Sequence, residues 1–131
     1  MNLKWKVGDT TITRITEIDY PDFPDLLPAA TPEVVKQVPW LFPHFVTPEG
    51  KISVSIHSLV VETPEAKLVV DTCIGNGRDR DPITIMSNLS TSYLEDMAGA
   101  GHPPESVDYV ICTHLHVDHD GLNTNLVDGK W

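Results

Sequence analysis

The sequence predicts an α+β or α/β fold in which a mixed β-sheet carries its helices on one face. Two observations predict it. Apolar runs at 52–61 and 67–72 flank the turn Thr63-Pro64-Glu65-Ala66 and read as an antiparallel hairpin. A helical stripe within 91–98 then separates the second run from a third at 107–112, which makes a strand–helix–strand crossover of right-handed sense.

The elements follow in order. Lys4–Val7 and 11–19 are strand candidates joined at Gly8-Asp9, and Thr and Ile dominate the second. Residues 20–48 differ in kind. They hold seven of the 11 prolines, at 21, 24, 28, 32, 39, 43 and 48, interleaved with Phe23, Leu26, Leu27, Trp40, Leu41, Phe42 and Phe45. Proline removes ladder donors and breaks helices, so this stretch is an ordered apolar loop inserted between strands. One short helix is expected in it, with Thr31 as N-cap, Pro32 first, Glu33 in the first turn and an end near Val38 forced by Pro39. The loop packs over the domain edge, walls a substrate pocket or makes a dimer contact.

Ile52-Ser53-Val54-Ser55-Ile56 alternates with the strand period, and Ser58-Leu59-Val60-Val61 continues as though burial deepens. Asp71 closes the next strand at its carboxyl end, where α/β sheets place ligands. Tyr93, Leu94 and Met97 form the stripe of the crossover helix, which Gly99 to Gly101 stop. The run 107–112 reads as a buried strand, and Leu122 to Leu126 as the start of a short helix.

Chain totals narrow the function. At 131 residues the chain is one domain's worth, and no run of 18 apolar residues exists to span a membrane. The first residues lack a signal-peptide stretch, so the expected location is cytoplasmic. A net charge of −10 argues against nucleic acid or an anionic membrane as partner and leaves a small-molecule substrate. Cys73 and Cys112 are too few for a disulfide framework; they read as reduced, half-buried residues, with a redox pair as the sharper alternative.

The chemistry concentrates in Thr113-His114-Leu115-His116-Val117-Asp118-His119-Asp120-Gly121. Three histidines and an aspartate fall within six positions where a strand runs out into a loop, and Gly121 lets the chain turn sharply. Imidazole nitrogens and carboxylate oxygens are the ligands that zinc and similar divalent ions take from proteins. His44, His57 and His102 stand in loop or strand positions away from this cluster and are not expected as ligands.

His114-Leu115-His116-Val117-Asp118-His119 resembles the signature of the metallo-β-lactamase superfamily. Val69-Val70-Asp71-Thr72-Cys73-Ile74-Gly75-Asn76 and Cys112-Thr113 are similar to the branch that includes methyl parathion hydrolase and acyl-homoserine lactonases. The resemblance implies an αββα sandwich, of which residues 1–131 match the N-terminal half. It implies that His114 and His116 hold a first ion and that Asp118 and His119 hold a second. It implies a catalytic part for Asp118 and a supporting role for Asp71 and Thr113 behind the ligands. Two zinc ions per complete domain are implied, with iron, manganese or cobalt as alternatives, along with hydrolysis of lactones, esters or phosphotriesters by metal-activated water. Asp120 and Leu122 depart from close relatives, which usually carry a small or apolar residue and Trp there.

A catalytic zinc normally has three protein ligands plus water, and this sequence offers two per site. The expectation is therefore a truncated piece of a longer enzyme, with weak metal binding and no turnover alone. The alternatives are a half-domain acting as an assembly module or homodimer, and an iron-dependent redox enzyme of the same fold.

Overall fold

The computed structural model describes residues 3–23 and 27–131; Met1, Asn2, Pro24 and Leu26, which entered the sequence reading, lie outside the described residues. Among the described residues five strands form one sheet in sequence order: β1 (Lys4–Val7), β2 (Thr10–Tyr20), β3 (Val54–Glu62), β4 (Lys67–Val70) and β5 (Tyr109–Ile111). Gly8, at φ 61°, lets β1 fold back on β2 with Val7 opposite Thr10. The hairpin of β3 and β4 pairs Leu59 with Val70 and Glu62 with Lys67. Its turn is held by the Thr63 hydroxyl oxygen, which accepts the N–H groups of Glu65 at 3.2 Å and Ala66 at 3.0 Å.

β5 runs parallel to β4, with Val69 opposite Val110, and makes the sheet mixed. The crossover contains a helix at Tyr93–Gly99 and follows the expected stripe: Tyr93 and Met97 are buried and Leu94 half-buried. These three side chains line one apolar cavity with Val69 and Val110, so this helix covers that face of the sheet. Fully buried Ile15, Val60 and Ile74 form the centre of the core.

Three expectations are corrected here. The strand predicted as buried at 107–112 is a three-residue edge strand, with Tyr109, Val110 and Ile111 exposed by 61, 49 and 49%. Among the described residues its sheet neighbour is β4 alone, so nothing covers its other flank. Burial along β3 does not become continuous; Ile56, Ser58 and Val60 are buried in strict alternation. Ser58 is tolerated because its hydroxyl accepts the Tyr93 O–H at 2.5 Å and meets Cys73 Sγ at 3.2 Å. Past the histidine loop, the helix expected from Leu122 is only a 3₁₀ turn at Gly121–Asn123.

Residues Ile18–Ser55 form a compact unit of their own. Its helix, Pro32–Val35, is a single turn with Pro32 at the start. Thr31 is extended, as an N-cap should be, yet makes no side-chain capping bond. Val35 and Val46, which belong to this unit, are buried, Val46 bridges Ile52, and Lys51 pairs with Asp22. Trp40, 72% exposed, meets Phe45 edge-to-face at 6.4 Å. Among the described residues no helix is long and apolar enough to cross a membrane.

Candidate functional site

β4 stops at Val70, and Asp71 takes a left-handed conformation at φ 58°, a region that Asp enters more readily than most residues. Its N–H reaches the carbonyl of Ile111 at 2.9 Å, which clips the end of β4 to the end of β5. The Asp71 carboxylate then lies under the loop that leaves β5. Oδ1 accepts the Thr113 N–H at 2.7 Å, the Thr113 hydroxyl spans Oδ1 and Oδ2 at 3.1 and 2.9 Å, and Oδ2 meets His119 Nδ1 at 2.8 Å.

Burial alone would push the Asp71 carboxyl up. The Thr113 N–H, His119 and the Thr113 hydroxyl outweigh it and hold the group below the usual carboxylate range. An ionised Asp71 requires a proton on His119 Nδ1, which leaves Nε2 as the ring atom turned toward other partners. The same logic reaches His114. Its Nδ1 lies 3.1 Å from Thr113 Oγ1, whose own hydrogen is turned toward Asp71, so His114 Nδ1 is the donor in that contact.

Thus one half-buried carboxylate engages the Nδ1 side of both imidazoles, directly at His119 and through Thr113 at His114. The His114 ring centre lies 3.9 Å from that of His119 and 4.5 Å from that of His116. Asp118 Oδ2 is 3.4 Å from His119 Nε2. Leu115, between the first two histidines, is 78% exposed. Among the described residues, no group of three or more His, Cys, Asp or Glu side chains is arranged to hold one ion. The predicted residues are therefore brought together as neighbours, with two or fewer donors toward any single ion.

The far end of the loop returns to the turn after Asp71. Thr72 N–H donates to the His119 carbonyl at 2.8 Å, Gly121 N–H to the Cys73 carbonyl at 2.8 Å, and Leu122 N–H to the Thr72 carbonyl at 3.1 Å. Cys73 is left-handed at φ 59° and Gly75 at φ 80°, and a non-glycine residue there costs roughly 1–2 kcal/mol. The turn is held from outside. Glu17, on β2, accepts the N–H groups of Ile74 at 2.8 Å and Gly75 at 2.9 Å, and Arg80 donates to the Ile74 carbonyl at 3.3 Å. Asn76 exchanges two bonds with the backbone of Thr91, at 2.8 and 2.7 Å, ahead of the crossover helix.

Glu17, Ser58, Tyr93 and Asn76 were given no part in the site by sequence reasoning. For Glu17 a signal existed, since it is the one carboxylate within the Thr- and Ile-rich stretch 10–18. Cys73 is fully rather than half buried, and burial pushes its thiol up to about 12 despite the Ser58 contact. Both cysteines are free. His102 is 2% exposed against Thr13 and Glu62, and His44 packs on Phe45, away from the loop histidines in role.

Known structures share this architecture. AbOPH, a hydrolase in the β-lactamase superfamily, superposes with a TM-score of 0.68 at 21% identity, over 98% of this chain and 41% of that one. AidC, a dizinc quorum-quenching lactonase, gives 0.64 at 21% identity over 98% of this chain and 42% of that one. A probable metal-dependent hydrolase from Staphylococcus aureus gives 0.62 at 24% identity, over 89% and 42%. The chain thus spans about two fifths of these proteins' length. No curated protein matches it. The family model of the metallo-β-lactamase superfamily matches residues 53–131, more than half of the sequence and the part that carries β4, β5 and the histidine loop. The chain belongs to the metallo-β-lactamase superfamily.

Proposed function

We propose that residues 1–131 are the first half of a metallo-β-lactamase domain, with 20–48 inserted as an apolar loop, and supply half of a dinuclear metal site. The reaction is hydrolysis of a small lactone, ester or phosphotriester. The observation that carries this reading is the network from Asp71 to Thr113 and His119, which engages Nδ1 of both His114 and His119 and leaves Nε2 as the atom each ring would offer to an ion. A spacing of 3.4 Å between His119 Nε2 and Asp118 Oδ2 supports it, because two ligands of a tetrahedral zinc with bonds of about 2.05 Å stand about 3.3 Å apart.

On this reading His114 and His116 hold one ion, and His119 and Asp118 hold the other, with Asp118 as the catalytic carboxylate. Asp71 and Thr113 keep the imidazoles oriented. When bound, two divalent ions lower the pKa of water toward neutrality and polarise the oxygen under attack. Zinc fits the donors, and iron, manganese or cobalt would compete for them. The further ligands that each ion needs come from outside the described residues.

The test is metal content and hydrolysis by the full-length protein that contains this segment, assayed with a lactone, an aryl ester and a phosphotriester. Two ions per domain and turnover of one class are expected, whereas residues 1–131 alone take up zinc weakly and turn over nothing. Loss of all three activities in metal-loaded protein, with zinc uptake unchanged by His116→Ala, would overturn the reading. The exposed edge at Tyr109–Ile111 favours a second one, an assembly module that pairs through β5, and a dimeric mass in gel filtration without turnover would support that instead.

A further inference from the structure

The histidine loop does not rest on Asp71 alone. Its exit, Gly121, is bonded to the Cys73 carbonyl and packed against Ile74, and that turn is held by a side chain far away in sequence. Glu17 spends both carboxylate oxygens on it, one on Ile74 N–H and one on Gly75 N–H. The Thr91 hydroxyl adds a weaker contact at 3.4 Å. Without these acceptors two half-hidden N–H groups would be unpaired in a turn whose Cys73 and Gly75 are both left-handed.

We propose that Glu17 is a positioning residue for the metal site: by fixing the Ile74–Gly75 backbone it sets where Gly121 sits, and therefore where Asp118 and His119 point. The proposal rests on the metal reading above only for its affinity readout. The geometry gives a chain of direct contacts. Glu17 accepts from the amides of Ile74 and Gly75, the Cys73 carbonyl accepts the Gly121 N–H, and the His119 carbonyl accepts the Thr72 N–H. Beyond the Glu17 carboxylate each link is backbone, so a shift of the turn moves the loop instead of being absorbed by a rotamer. A Gln at 17 keeps the size but sets an NH2 against one of the two N–H groups, and an Asp pulls the carboxylate back by one methylene.

The experiment compares wild type, Glu17→Gln, Glu17→Asp and a control, Ile15→Val, in a fully buried position of the same strand. Two quantities are read: zinc affinity by competition with a chromophoric chelator, and amide exchange at Ile74, Gly75 and Gly121 in metal-free protein. Both Glu17 variants should bind zinc roughly tenfold or more weakly and exchange faster at Gly121. The control should lower the melting temperature and change neither. If both Glu17 variants only lower the melting temperature, with Gly121 exchange and zinc affinity as in wild type, the proposal is wrong. If wild type takes up no zinc yet the variants loosen Gly121, the metal reading fails while Glu17 keeps its positioning role. Should Glu17→Gln not fold, Glu17→Asp carries the same two readouts and decides alone.

Discussion

Gly121 lies directly against the carbonyl of Ile74, with no space between them for a side chain. A Cβ at position 121 would come within 1.8 Å of Ile74 O and 2.6 Å of Cys73 O. Those atoms are backbone in a turn already held by Glu17, so they cannot yield cheaply. Gly121→Ala is expected to cost about 3 kcal/mol or more, at the upper end of overpacking effects. Urea unfolding measures it, and a loss under 1 kcal/mol would show that the turn can slide.

Asp71→Asn should act on the imidazoles rather than on the fold. Asn tolerates the left-handed backbone at 71, but its amide would donate toward His119 Nδ1 and drive that ring's proton to Nε2. The expected results are a switched His119 tautomer in nitrogen NMR and zinc affinity reduced roughly 10–100-fold. An unchanged tautomer would separate Asp71 from the histidine.

His102 gives a pH dependence of known sign. Burial against Thr13 holds its pKa below the ordinary 6.5, although Glu62, 3.6 Å from Nδ1, pulls the other way and Lys67 and Lys4 reinforce the depression. Below 6.5 the unfolded chain takes up a proton that the folded chain resists. Stability is therefore fully present above that pH and falls as pH drops from 6.5 to the folded value. Unfolding free energies at pH 7.5 and 5.0 should differ less in His102→Gln than in wild type; an equal difference would assign the slope to other groups.

The two cysteines should separate in reactivity. Cys73 is fully buried with its thiol pushed up to about 12, whereas Cys112 is half-buried beside Asn123. A disulfide reagent near pH 8 should titrate one thiol quickly in folded protein and both in urea. Two fast thiols in the folded state would contradict the packing around Ser58 and Tyr93.

What could be read from residues alone follows the range of the physics involved. The β3–β4 hairpin and the helix at Tyr93–Gly99 were legible because alternation, a Thr-Pro turn and a Tyr93–Met97 stripe are local patterns. The likeness of motif singled out Asp71, Thr113 and His119 as candidates, and the structure joins Asp71 to the other two by hydrogen bonds. Edge or centre for β5 was not legible, since an apolar run carries no record of how many neighbours it has. Glu17 was hidden for a related reason: its partners are main-chain amides 57 and 58 residues away, which leave no mark on side-chain identity. The bond that satisfies Ser58 in its buried position was hidden likewise, because Tyr93, 35 positions on, supplies it.

The bare flank of Tyr109–Ile111 has a consequence for handling the polypeptide. Its main-chain groups on that side are an open template, and the three side chains beside them are oily. Like molecules would stitch together there as concentration rises, through a self-recruiting seam. A lysine at 110 would make the seam repel itself, so light scattering of concentrated Val110→Lys should stay flat where the parent's climbs.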